Sequence, residues 1–385
     1  MRIAFYSDTY LPAVDGVVTS MLQFKKELEK RGHKVFIFAP STIQNKKKYE
    51  AKDVFLYTGL KFRPYPQYSS AIFPYHSIIK LSQLKIDLVH VQTPFVMGFS
   101  GLLAAKLGRY PLVGSFHTLI NDSSLAEYYP SNMRGFYMKY AWKYVKFFYK
   151  RCNTVIVPSK PIASLLKKHG VQTDIAVVPN GLDTGVFNSH ASPDPAIESY
   201  DLDPHKKIVL YIGRISKEKR IEVFLKAAAY LARKRSDLQF VVGGTGPMLS
   251  TYVRMAKRLG VLSSVKFIGF VNKDLLPSVY AAADAFCLPS LFETQGIVCL
   301  EAMGVGKPVI VADTPVLNEF VKPGYNGERF KKNDSLDCAR KIEKVLNKSE
   351  AYKKGAIRTA RMFSIEQVTD ELINVYKNTL DKAVY

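Results

Sequence analysis

The stretch DAFCLPSLFETQGIVCLEAMGVGKPVIVAD, Asp284 to Asp313, contains one complete structural unit. Its ends, DAFCLPS and KPVIVAD, are short apolar runs that read as strands buried on both faces. Between them Ile297 to Met303 is apolar and opened by Gly296, which reads as a helix. Strand, helix and strand in that order predict two parallel strands joined by a crossover helix. Two carboxylates bracket the helix start, Glu293 before Gly296 and Glu301 inside it. The chain has only 33 Asp and Glu against 55 Lys and Arg, so this placement needs a cause.

The same alternation extends in both directions. Upstream, RIAFYSD, KVFIFAP, DLVHVQ, PLVGSFH and NTVIVPS are strand-like runs separated by helical patterns such as VVTSMLQFKKELEKRG. The pattern stops at VVPNGLDTGVFNSHASPDPAIESYDLDPHKK, a Pro-, Ser- and Asp-rich linker. It restarts with KIVLYIGR, LQFVVGG, SVKFIGFV and the quoted unit. The expected fold class is α/β, with two tandem Rossmann-like domains. We place them at 1–190 and 191–365, with 366–385 as a C-terminal helix. In such sheets ligands bind beyond the carboxyl ends of the strands, and the expected site is a cleft between the domains.

Composition narrows the class. A chain of 385 residues, 47% hydrophobic and 23% charged, exceeds one ordinary core and suits two domains. No apolar run approaches the roughly 20 residues of a spanning helix, and MRIAFYSDTY reads directly as a strand. Cys152, Cys287, Cys299 and Cys338 show no metal or CxxC spacing and read as buried thiols in a reducing compartment. The net charge is +22, of which residues 1–190 carry +14 and residues 191–385 carry +8. Such an excess suggests a polyanionic partner: anionic membrane, nucleic acid or a phosphorylated substrate. The plain alternative is solubility, or a lysine-rich habit of the source.

Each strand end can then be read for chemistry. Gly16 precedes a helix, where a missing Cβ lets a phosphate or sugar approach the backbone. His117 closes the strand PLVGSFH. Arg214 and Lys219, in GRISKEK, put two cations at a strand mouth, suited to a diphosphate. VVGGTGP is glycine-rich but lacks the full dinucleotide fingerprint. The DxD at Asp201–Asp203 lies in the linker and is set aside as a metal site. Each feature also has a plain structural reading as a turn glycine, a strand-end histidine or a basic helix start.

In order along the chain, however, DGVVTS, GSFHT, VVPNGLDTGVF, GRISKEK, GGTGP, FIGFV, LPSLFETQGIVCLEAMGVGKPVI and PVLNEFVKPGYNGERF resemble the retaining GT-B glycosyltransferases of family 4. The E-x7-E stretch is the most specific of these. The resemblance implies a nucleotide-sugar donor. The Ile297 and Val298 N–H groups, opened by Gly296, would face its diphosphate. Arg214 and Lys219 would neutralise the same phosphates. Glu293 would accept from sugar hydroxyls, Glu301 from ribose hydroxyls, and Val271 would lie beside the base. His117 carries over as the catalytic-side contact to the donor sugar, and Gly16 as the backbone approach to the leaving phosphate. Retention through a same-face mechanism comes with the family, as does the expectation of no cofactor and no metal.

DGV, FHT and ETQG look most like the branch that glucosylates diacylglycerol or related lipids. Many relatives have Gly-Gly-Val at Asp15-Gly16-Val17 and Phe-Gly at Gln295-Gly296; LINDSSLAEYYP matches that branch only loosely. A lipid acceptor also fits Asn132 to Cys152, where Lys139, Lys143, Lys146 and Lys150 form a helical stripe amid aromatics and Trp142. That helix would lie on an anionic membrane surface; the other reading is a core helix with a solvated lysine face. The aromatic stretch Leu60–Ser77 is a candidate acceptor path. The expected partners are therefore a nucleotide sugar, a lipid acceptor and an anionic membrane, with no nucleic acid, at the cytoplasmic face. UDP-glucose is the expected donor. A soluble or GDP-mannose-dependent enzyme acting on a small-molecule, phosphoinositide or polysaccharide acceptor remains open.

Overall fold

The computed structural model describes residues 1–13, 15–61, 69–71, 75–117 and 131–383. The chain forms two compact units, 1–181 with 365–385, and 182–364. The division falls inside the Pro/Ser/Asp-rich stretch, between Gly181 and Leu182, and not after His190. Leu182 already donates its N–H to Phe363 O at 2.7 Å, and Leu182 and Phe187 are buried in the second unit's core.

The first unit contains β1 (Arg2–Tyr6), α1 (Gly16–Lys30), β2 (Lys34–Ser41), α2 (Ile43–Tyr49), β3 (Val54–Lys61), β4 (Ser69–Ala71), α3 (His76–Ser82) and β5 (Leu88–Val91). It continues through α4 (Val96–Gly108), β6 (Leu112–Ser115), α5 (Ser131–Tyr149), β7 (Thr154–Val157), α6 (Lys160–Lys168) and β8 (Asp174–Val177). The sheet order is β4-β3-β2-β1-β5-β6-β7-β8, parallel except for the antiparallel β3–β4 edge. LVHV and TVIV are buried at every position because helices cover both faces. The order therefore reverses between β1 and β5.

The second unit contains α7 (Asp194–Tyr200), β9 (Lys207–Ile212), α8 (Ile221–Ala232), β10 (Leu238–Gly243), α9 (Leu249–Arg258), β11 (Val265–Gly269) and α10 (Leu276–Ala282). There follow β12 (Ala285–Leu288), α11 (Ile297–Gly304), β13 (Val309–Ala312), α12 (Pro315–Asn318), β14 (Gly327–Phe330), α13 (Ser335–Leu346) and α14 (Ser349–Arg361). Its six parallel strands run β11-β10-β9-β12-β13-β14, reversing between β9 and β12. All four cysteines are free and buried.

The last helix, α15 (Ile365–Ala383), packs in the first unit. Ile365, Val368, Leu372, Ile373 and Tyr376 join Ile3, Phe5, Met21 and Leu28 in one core. Buried polar contacts fix its register: Tyr376 Oη lies 2.7 Å from His90 Nδ1, and Thr379 Oγ1 lies 2.8 Å from Thr154 Oγ1.

Candidate functional site

In parallel α/β sheets the crevice opens where strand order reverses, at the carboxyl ends of the strands. In the second unit that position lies between β9 and β12. The segments leaving these two strands carry Arg214, Lys219, Glu293 and Gly296. Sequence order alone does not show that β9 and β12 are neighbours; their pairing, Ala285 with Val209 and Phe286 with Leu210, brings the segments together.

Lys219 sits at the end of a 3₁₀ turn, Lys217–Lys219, and its Nζ donates to Glu293 Oε1 at 2.6 Å. Both side chains are largely sheltered, so the pair is more than a solvated surface contact. Arg214 is exposed beside them, its carbonyl accepting from Tyr211 Oη at 3.0 Å. Two glycines let neighbouring strand ends approach here. A Cβ on Gly244 would lie 1.9 Å from Gly213 O, so no side chain fits.

Gly296 caps α11 with φ of +87°, and a Cβ there would also meet Leu317 Cδ2 at 2.7 Å. The backbone conformation favours glycine, and a Cβ would also press on the end of the Leu317 side chain. The turn leaves the Ile297 and Val298 N–H groups at a helix start, where no carbonyl of the helix can accept from them. Four residues after Ile297, Glu301 accepts from Tyr280 Oη on α10 at 2.7 Å. Loss of water around Glu301 pushes its carboxyl up to about 7, partly opposed by the Tyr280 hydrogen bond. Val271 follows β11 half-buried against the core, and Phe270 beside it is 63% exposed.

In the first unit the reversal lies between β1 and β5. Asp8, after β1, accepts from Thr93 Oγ1 and from the Phe95, Met97 and Gly98 N–H groups, so it anchors the start of α4. Asp15 caps α1, accepting from Val18 N at 2.8 Å. Gly16 is then the first residue of α1, exposed, with nothing within 4 Å of an added Cβ. His117 follows β6, half-buried, with Nε2 at 3.1 Å from Gln92 Oε1. Desolvation lowers its imidazole to about 4. His117, Gly16 and Gln92 thus lie beyond carboxyl ends of the first sheet, and Arg214, Lys219, Glu293 and Gly296 beyond those of the second.

The α5 helix turns Val145, Phe148 and Tyr149 inward. Tyr144 Oη donates to Pro94 O. Its exposed side carries Lys139, Lys143, Lys146 and Lys150, and beside them Phe136 at 62%, Tyr140 at 49% and Phe147 at 43% exposure. Trp142 is half-buried and stacks on His169, ring centroids 3.5 Å apart. Phe99 of α4 touches Tyr144, Phe147 and Phe148. One and two turns beyond Phe99, Leu103 and Leu107 are exposed. The sequence reading missed Leu103, Leu107, Tyr280, Phe270 and Gln92; exposed leucines one turn apart in an otherwise apolar helix leave no period to detect. The acceptor-path stretch Leu60–Ser77 falls largely outside the described residues, and LINDSSLAEYYP wholly so.

Among the described residues no three metal-ligating side chains come together, and no helix is long and apolar enough to cross a membrane. A crevice of about 540 Å³ lies at the opposite, amino ends of β9–β11, lined by Asp201, Asp203, Lys206 and Lys266. Asp201 pairs there with Lys266 at 2.8 Å, far from the strand ends that carry the other groups.

Two family models match the chain: Glycosyltransferase Family 4 over residues 14–186 and Glycosyl transferases group 1 over residues 194–361. The alpha-monoglucosyldiacylglycerol synthase of Streptococcus pneumoniae is 31% identical over 337 residues, 86% of this chain and 75% of that protein. The chain belongs to the group 1 glycosyltransferases. The alpha-monoglucosyldiacylglycerol synthase of Acholeplasma laidlawii is 28% identical over 349 residues, 87% of this chain and 86% of that protein. Among solved structures, Anabaena HepE in complex with UDP and glucose aligns with a TM-score of 0.77 at 20% identity, covering 98% of this chain and 100% of that one. This likeness establishes the GT-B fold of the group 1 glycosyltransferase.

Proposed function

We propose that the protein transfers glucose, with retention, from UDP-glucose to a membrane lipid such as diacylglycerol. The outward face of α5 carries this reading, because four lysines there run beside three exposed aromatic rings. A soluble enzyme has little use for such a surface. Both synthases named above make, by name, a glucosylated diacylglycerol, which supports a lipid acceptor here.

In this reading the second unit holds the donor. Arg214, Lys219 and the start of α11 meet the diphosphate, Glu293 the sugar hydroxyls, Glu301 the ribose and Val271 the base. Carboxylates suit the two hydroxyl positions because hydroxyls donate and carboxylates accept. Positive groups placed where phosphate charge builds up favour departure of the nucleotide. His117 meets the donor sugar and Gly16 the leaving phosphate. The protein works as a peripheral enzyme on the cytoplasmic face, without a metal.

The test incubates the protein with a panel of nucleotide sugars and a lipid extract, with and without EDTA, and identifies products by mass spectrometry. A glucosyl lipid made from UDP-glucose in both conditions is expected. Products confined to GDP-mannose or to water-soluble acceptors overturn the donor or acceptor reading. Metal-reversible loss in EDTA overturns metal independence.

A further inference from the structure

Gln92 stands just past β5, at the strand reversal of the first unit, and is 3% exposed. Its N–H donates to Tyr6 O at 2.7 Å, which ties it to the end of β1. Its Oε1 lies 3.1 Å from His117 Nε2. The same two segments make a matching contact two residues earlier, His90 Nε2 to Ser115 Oγ at 2.7 Å. Side chains two apart on a strand share a face, so His90 and Gln92 form one polar row and Ser115 and His117 the next.

A neutral imidazole has one N–H and one lone pair, and the partner of one nitrogen decides which is which. An amide oxygen can only accept. We propose that Gln92 is a positioning residue that holds His117 as its Nε2–H tautomer, so that Nδ1 offers a lone pair to a hydroxyl of the donor sugar. The inference rests on the reading that His117 meets that sugar. A sugar hydroxyl donates well to Nδ1 only if the ring stays neutral, and burial ensures this by lowering the imidazole to about 4. The titratable group that acts together with it is His90, itself lowered to about 3 and held between Tyr376 and Ser115.

The full-length protein labelled with [15N]histidine tests this. Long-range ¹H–¹⁵N spectra report the tautomer, and His117→Gln assigns the His117 signal. The Nε2–H pattern is expected in the parent and in Gln92→Glu, and a mixed pattern in Gln92→Leu. Gln92→Leu should lower kcat roughly 10-fold or more, since misorientation of a contact group is costly. Its Kd for the bare nucleoside diphosphate should stay within about two-fold, as the phosphate contacts do not involve Gln92. Gln92→Glu keeps the acceptor but sets a carboxylate beside the ring, which raises the imidazole pKa. The acid limb of kcat/KM should then move to higher pH, an effect that simple loss of packing does not produce. An Nδ1–H pattern in the parent, or parental kcat and pH profile in Gln92→Leu, overturns the inference. Parental turnover in His117→Gln overturns the underlying sugar contact instead, whatever tautomer the spectra show.

Discussion

Lys219 Nζ lies 2.6 Å from Glu293 Oε1, across the reversal between β9 and β12. The proposed phosphate cation and the proposed sugar acceptor therefore share one ion pair before any donor binds. Their side chains are 20% and 12% exposed, so each leaves the other uncompensated if removed. Glu293→Gln should lower turnover by roughly 10²-fold or more, because in the proposed reading its bonds go to the reacting sugar. Nucleoside diphosphate affinity, measured by calorimetry, should hold or rise, since Lys219 is released towards the phosphates. Near-parental turnover would remove Glu293 from the donor site. Lys219→Ala should weaken diphosphate binding and slow transfer together.

If Glu301 meets the ribose as proposed, nucleotide affinity should depend on pH. Its carboxyl is raised to about 7, so the acceptor form needed by ribose hydroxyls is lost as pH falls through that value. Affinity should drop as pH falls through that range, and Glu301→Gln should remove most of that slope. Tyr280→Phe deletes the hydrogen bond that opposes the shift, so the midpoint should move upward. A slope that persists in Glu301→Gln would place its origin elsewhere.

Gly296 and Gly16 should respond in opposite ways to alanine. At Gly296 the left-handed backbone and the Leu317 contact both oppose a Cβ, and such strain costs on the order of 1–3 kcal/mol. Gly296→Ala should lower Tm by several degrees and weaken diphosphate binding. At Gly16 a Cβ meets nothing, so Gly16→Ala should leave Tm unchanged or slightly raised. Slower transfer in that stable variant would show that a ligand, not the fold, requires the glycine; unchanged transfer would sink that role.

Membrane attachment should divide between charge and apolar burial. Replacing Lys139, Lys143, Lys146 and Lys150 with glutamine should release most protein from anionic vesicles, at about 1 kcal/mol per lysine. High salt should mimic this, since the Debye length falls from about 8 Å to about 3 Å at 1 M. Phe136, Tyr140 and Phe147 should retain a salt-resistant fraction, lost when all three become serine. Nucleotide binding should be unchanged in both variants, because the proposed donor residues belong to the other unit. Undiminished sedimentation of the lysine variant would assign the basic charge another purpose. Replacing Trp142 should cost stability through its stack with His169.

The α/β class was legible because a parallel sheet covered on both faces needs apolar runs such as TVIV and VIVA, which survive any rearrangement of strand order. Gly296 was legible for a similar reason: a glycine between a strand and an apolar helix marks a sharp helix start wherever the strand lies in the sheet. Pair contacts were not. Nothing in the spacing links Lys219 to Glu293, Tyr280 to Glu301 or Gln92 to His117, because each pairing depends on which strands become neighbours. Trp142 shows the limit of composition: a tryptophan in a basic aromatic helix suggests lipid, yet its ring lies on a histidine.

The return of α15 to the first unit sets an order on biosynthesis. Residues 182–364 form a continuous stretch and can fold as soon as they leave the ribosome. The first unit cannot finish then, because Tyr376 and Thr379, which satisfy His90 and Thr154, are translated only after the second unit. A nascent chain paused after residue 364 would thus carry a finished second unit and an unclosed first one. The buried polar groups His90 and Thr154 would find their partners only once α15 had emerged.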